Sequence, residues 1–136
     1  MNKINGFDFT PYVNAVIAKG MSRNDALVSL EDLKVILSGP TDRDVALTIG
    51  ADEILHEILA DEAGLRRLSA MIGGPSYIIG HDGGCFMSAR FDAAWEETRA
   101  LMSAHGVMLL ADYRSDKTGG IRAAGVCVRA SVSVAA

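Results

Sequence analysis

The carboxyl-terminal half of the chain alternates between apolar and polar positions in a way that predicts two hairpins flanking one helix. Two predicted strand segments at 76–80 and 85–90 flank the turn sequence His81-Asp82-Gly83-Gly84, and Asp-Gly is a preferred pair for a type I′ turn. We therefore predict a first hairpin in which Ile79 lies opposite Phe86.

A helix follows this hairpin in the sequence. The spacing of Phe91, Trp95 and Met102 predicts an amphipathic helix that buries one side. Asp92 is the predicted N-cap, because its carboxylate can accept a hydrogen bond from an unpaired amide of the first turn. The helix is expected to run to about His105, before Gly106.

Two more strands complete the cassette. Residues 107–111 are apolar throughout, which favours a central strand that is covered on both faces. Residues 121–134 alternate, with valines on one face and polar side chains on the other. Gly125 interrupts this alternation, and we expect a β-bulge near it.

The amino-terminal half has the three- and four-residue spacing of helices. Thr10-Pro11 begins the first predicted helix and Gly20 ends it; Ser22 and Asp25 begin the second. Residues 45–49 fit a helix or a buried strand, and the preceding Thr41 and Asp44 favour a helix. Two further helical segments follow Ala51, with a break between Asp61 and Gly64.

Together these patterns predict an α+β protein with a single domain at 1–136. A mainly helical part at 1–74 is followed by a ββαββ part at 75–136, which forms an antiparallel sheet of about four strands. The long last strand would leave an uncovered sheet edge. We therefore predict a homo-oligomer, with a dimer as the simplest form.

The composition is that of a small soluble domain, with 136 residues, 49% hydrophobic and 22% charged. No apolar run has the length of a membrane span, and the first residues do not resemble a signal peptide, so we expect a cytoplasmic protein. The net charge of −4 argues against nucleic acid as a partner. No motif for a cofactor is present, so none is predicted.

Three groups of residues are candidates for chemistry. A thiol near an imidazole could form a catalytic pair at His81 and Cys85, although turn chemistry and packing also explain these residues. Asp52 and His56, four positions apart on one predicted helix face, could bind a metal ion. Cationic side chains near the last turn could bind an anion, and these are Arg114, Lys117 and Arg122.

The leading functional prediction is a non-enzymatic binding or assembly module that acts through protein–protein contacts, such as an inhibitor presenting an acidic helical face. The predicted partner-binding residues are Asp52, Glu53, Glu57, Asp61 and Glu62. The alternatives are a small hydrolase or transferase that depends on Cys85 and His81, or a protein that binds a small ligand. Whether the protein is an enzyme stays open, with the absence of enzymatic motifs favouring a binding role.

Overall fold

The computed structural model describes residues 4–82, 84, 86–115 and 120–129; for residue 82 and residues 126–129 the description covers the backbone. The helices are α1 (Thr10–Ala18), α2 (Arg23–Leu37), α3 (Ile49–Leu59), α4 (Glu62–Gly73) and α5 (Ala89–Ala104). The strands are β1 (Val45–Thr48), β2 (Gly80–Asp82) and β3 (Ala124–Arg129), and a short 3-10 helix spans Tyr113–Ser115.

The prediction of a four-stranded sheet from a ββαββ part is wrong. The described strands form a three-stranded antiparallel sheet in the order β1-β3-β2, so that β3 lies at its centre. One strand comes from the half that was predicted to be helical, and two of the predicted strands do not form. The protein is still α+β in the broad sense, with helices as its main content.

The weak preference for a helix at 45–49 was also wrong, because residues 45–48 form β1. All four residues of β1 are buried, so both of its faces are covered. Such a strand has no polar alternation and cannot be told from a buried helix by its pattern. The hydroxyl of Thr98 on α5 accepts a hydrogen bond from the amide of Ala46 and donates one to its carbonyl. Both backbone groups of Ala46 therefore have a partner at this edge of the sheet.

The first predicted hairpin does not form. β2 covers only residues 80–82 and pairs with β3, with His81 opposite Val128, instead of pairing with the residues that follow the Asp-Gly turn. Phe86 lies in a turn, and α5 begins at Ala89. The N-cap of α5 is Ser88 and not the predicted Asp92. The side chain of Ser88 accepts a hydrogen bond from the amide of Phe91.

The apolar run at 107–111 is not a strand. Side chains of α5 bind two of its carbonyl groups: Trp95 donates to Leu110 over 2.8 Å, and Arg99 donates to Leu109 over 3.3 Å. Leu110 and Met108 are exposed, so the run is not covered on both faces. Bonding to side chains of α5 replaces the sheet bonding that its composition predicted.

The last strand forms over 124–129, and residues 130–134 of the prediction lie outside the described residues. The bulge near Gly125 is confirmed, because the register between β1 and β3 shifts between the Ala46–Cys127 and Thr48–Ala124 pairs. β3 has a neighbouring strand on each side. The uncovered edge that motivated the predicted dimer is therefore not present at β3.

The helical predictions of the amino-terminal half are largely confirmed. Ser22 caps α2 by accepting a hydrogen bond from the amide of Asp25, and Gly20, with a φ of 117°, follows the end of α1. The break between α3 and α4 lies at Ala60 and Asp61, earlier than predicted, because residues 62–64 belong to α4. Within the described ranges, no helix has both the length and the apolar composition needed to cross a membrane.

Candidate metal centre

Helix α3 supplies two polar side chains from one face. Asp52 and His56 are one helical turn apart, and the Nε2 atom of His56 lies 3.3 Å from Oδ2 of Asp52. The other face of α3 is anchored in the core, where Ile54, Leu55 and Ile58 are fully buried. The backbone that carries Asp52 and His56 is therefore held firmly in place.

Strand β2 brings a third polar side chain to the same place. The Nε2 atom of His81 lies 2.9 Å from Oδ1 of Asp52, across 29 positions of sequence. The strand is positioned by its pairing with β3 and by the amide of Ile79, which donates a 3.0 Å hydrogen bond to the buried hydroxyl of Ser69. Each carboxylate oxygen of Asp52 thus faces one imidazole.

The two imidazole rings also contact each other. The ring centroids of His56 and His81 are 4.6 Å apart, in an edge-to-face arrangement. One donor atom from each residue of the Asp52, His56 and His81 triad lies within 4.8 Å of the donor atoms of the other two. The side chains of Asp52 and His81 are 15% and 18% exposed, whereas that of His56 is 53% exposed.

These distances can be compared with the requirements of a metal ion. Zinc holds imidazole nitrogen and carboxylate oxygen at about 2.0–2.2 Å, which places two donors of a tetrahedral site about 3.3 Å apart. Each imidazole of the triad lies within about this distance of Asp52, with His81 at 2.9 Å from Oδ1 and His56 at 3.3 Å from Oδ2. Because the two distances end on different oxygens, at least one side chain would have to shift toward a shared ion, and His56 is the more exposed of the two imidazoles.

A surface cavity of about 270 Å³ borders the triad at His56. It is lined by Val16, Lys19, Met21, Glu53, His56 and Glu57. The ammonium group of Lys19 pairs with the carboxylate of Glu57 at this cavity. His56 is the residue of the triad that lines this cavity.

The predicted acidic face is divided among several contacts. Asp52 faces the two imidazoles, Glu57 pairs with Lys19, and Glu62 pairs with Arg66 one turn along α4. Asp61 accepts a hydrogen bond from the hydroxyl of Tyr12, which lowers the pKa of this carboxyl group. Glu53 is exposed at the rim of the cavity.

The two predicted anion-binding arginines that the structure describes are both paired with carboxylates. Arg114 donates to both carboxylate oxygens of Asp92 and lies over the ring of Tyr113. Arg122 donates to both oxygens of Asp32. Both guanidinium groups therefore hold carboxylates of the chain itself, and Lys117 lies outside the described residues.

The catalytic hypothesis paired His81 with Cys85, which lies outside the described residues. His81 instead contacts Asp52 and His56. Sequence reasoning missed this grouping, because it joined Asp52 to His56 by helical spacing and assigned His81 to another site. No local spacing relates β2 to α3, so only the tertiary fold brings the three residues together.

A search of protein-family models, of curated proteins and of solved structures finds nothing that matches this chain.

Proposed function

We propose that this protein binds one divalent transition-metal ion through Asp52, His56 and His81. The observation that carries the proposal is the convergence of two imidazoles on one carboxylate from two separate elements, α3 and β2. A protein that binds an ion in this way would be a binding module for a small ligand, which is one of the alternatives drawn from the sequence.

The donor set selects the class of ion. Imidazole nitrogen suits zinc, copper, nickel and iron, whereas calcium and magnesium require mainly oxygen ligands. Two of the three donors of this centre are imidazoles, and one is a carboxylate. Zinc or a neighbouring first-row ion is therefore the expected ligand, and magnesium is not.

Calorimetric titration with Zn²⁺ tests the proposal, and the chain contains its own control. It has three histidines, and the third, His105, is exposed at the end of α5, where it bonds the carbonyl of Leu101. We expect one zinc ion per wild-type chain, and about 100-fold weaker binding or more in His81→Gln and Asp52→Asn. His105→Gln should bind as the wild type does. Equal binding by all four proteins, or no saturable binding, contradicts the proposal.

Binding of a protein partner through acidic residues is a separate proposal. The carboxylates of Glu53, Asp61 and Glu62 are on exposed residues, which supports it. A Glu53→Lys, Glu62→Lys double variant keeps Asp52, His56 and His81 and reverses part of this surface. Capture of a basic protein by the wild type and not by the double variant supports the proposal, and equal capture contradicts it.

The enzyme alternative also stays a prediction. A hydrolase or transferase that uses Cys85 and His81 requires a reactive thiolate, because the thiolate is the nucleophile. Fast labelling of Cys85 by a thiol probe, slowed by His81→Gln, would support this alternative. A thiol that reacts no faster than a free cysteine, with or without His81, would contradict it.

Two further predictions concern the state of the protein. The homo-oligomer and the cytoplasmic location were both inferred from sequence. Light scattering of the purified protein measures the first, and fractionation of the source cells measures the second. A monomeric mass or a non-cytoplasmic fraction would contradict the respective prediction.

A further inference from the structure

We infer that ion binding at Asp52, His56 and His81 controls the docking of β2 onto β3 and α3, an inference that rests on the proposed metal-binding function. The ion would be a regulatory cross-link within the fold. Its presence or absence would determine how readily the short strand β2 separates from the rest of the protein.

The helix and the strand that carry the three ligands are not packed equally firmly against the rest of the protein. Asp52 and His56 lie on α3, whose opposite face is fully buried in the core. His81 lies on β2, which is only three residues long and is at one edge of the described sheet. An ion held by all three would therefore fasten a short edge strand to a firmly anchored helix.

Without the ion, β2 is held by three residue pairs with β3 and by the contacts of His81 with Asp52 and His56. The preceding residue, Ile79, is buried in the core and donates a hydrogen bond to Ser69. A short edge strand with few contacts belongs to the part of a fold that opens most readily. Coordination would replace the single hydrogen bond between His81 and Asp52 with bonds to a shared ion.

Mass action then gives the size of the effect. An opening that moves His81 away from α3 loses one of the three ligands and therefore weakens ion binding, so the ion makes this opening rarer by a factor of up to 1 + [ion]/Kd. The ion does not change the frequency of local openings that leave Asp52, His56 and His81 together. The amides of His105 and Gly106, at the exposed end of α5, exchange through local openings of this second kind and serve as internal controls.

Hydrogen exchange of the full chain, read at single amides by NMR, tests the inference. With Zn²⁺ at about 100 times its Kd, we expect the amides of residues 79–82 to exchange about 50- to 100-fold more slowly, because the opened form, without His81, binds zinc about 100-fold less tightly or worse. The amides of His105 and Gly106 should keep their rates. His56→Gln removes one ligand but retains the bond between His81 and Asp52, so it should abolish the zinc effect and leave the ion-free rates near those of the wild type.

Calorimetry and hydrogen exchange together distinguish a failure of this inference from a failure of the proposed metal-binding function. If calorimetry shows zinc binding but the amides of residues 79–82 exchange equally fast with and without zinc, the inference is wrong and the metal-binding function stands. If zinc slows the amides of His105 and Gly106 as much as those of β2, the local coupling is wrong. If no zinc binds, both proposals are overturned.

Discussion

The guanidinium group of Arg122 donates two hydrogen bonds of 3.1 Å to the carboxylate of Asp32, 90 residues earlier in the chain. The side chain of Asp32 is only 3% exposed, and that of Arg122 is 44% exposed. The hydrogen bonds with Asp32 raise the pKa of Arg122. This pair joins α2 to the segment that leads into β3, the central strand.

Removing the arginine from this pair should destabilise the protein strongly. Arg122→Gln leaves the buried Asp32 carboxylate without its charged partner, and we expect a loss of about 2–3 kcal/mol in the free energy of unfolding. This is below the cost for a fully buried pair, because Arg122 is partly solvated. Urea denaturation measures the loss.

The matched control is Arg66→Gln, which removes an exposed ion pair within α4. Exposed pairs of this kind contribute about 0–1 kcal/mol. If the two variants lose the same stability, the buried carboxylate is not the cause of the loss.

The same substitution at two buried threonines should change the stability of the protein by different amounts. Thr98→Val removes the hydroxyl that bonds the amide and the carbonyl of Ala46 at 2.9 and 2.7 Å, and leaves both groups buried. We expect a loss of about 2–3 kcal/mol. Thr48, whose buried hydroxyl has no hydrogen-bond partner among the described residues, should tolerate Thr48→Val with little loss or a gain in stability.

Thermal or urea unfolding of both variants gives the comparison directly. Thr98→Ser keeps the hydroxyl and should recover most of the stability that Thr98→Val loses. Equal losses in Thr98→Val and Thr48→Val would mean that the hydrogen bonds to β1 do not stabilise the sheet edge.

The pH dependence of stability should reflect the contact between Tyr113 and Asp92. The hydroxyl of Tyr113 donates to Asp92 and holds the pKa of this carboxyl group below its ordinary value. A lowered pKa contributes stability that is present above the pKa of the unfolded chain, about 3.9, and is lost as the pH falls through the pKa of the folded state. Tyr113→Phe should therefore make the loss of stability below about pH 4 shallower.

An NMR titration of the Asp92 carboxyl carbon checks this prediction, with the pKa of Asp92 rising in Tyr113→Phe. The control is Tyr12→Phe, which removes the corresponding hydrogen bond to Asp61 and should raise the pKa of Asp61 alone. An unchanged pKa of Asp92 in Tyr113→Phe would show that this hydroxyl is not responsible.

Local signals predicted the helices well, because caps and glycines act over a few residues. Ser22 bonds the amide of Asp25, and Gly20 follows the end of α1, as their positions in the sequence indicate. The same holds for the bulge at Gly125, where an added Cβ atom would lie 3.0 Å from the carbonyl oxygen of Leu47. Ser22 and Gly20 act at their own helix ends, whereas the bulge at Gly125 also depends on the approach of β1.

The sheet could not be predicted in this way, because strand pairing is decided by distant partners. β1 pairs with β3 across about eighty residues, and β2 pairs with β3 instead of with its neighbour in the chain. The Asp-Gly sequence at 82–83 indicates a tight turn, but it does not determine which strand completes the pair. The grouping of His81 with Asp52 and His56 depends on that same pairing.

NMR of the ring nitrogens during a zinc titration measures directly whether His56 and His81 bind a metal ion. We predict that the Nε2 signals of His56 and His81 shift together and saturate at one zinc ion per chain, while the signals of His105 stay in place. Signals of His56 and His81 that do not move, or a response of all three histidines without saturation, would show that Asp52, His56 and His81 do not form a metal site.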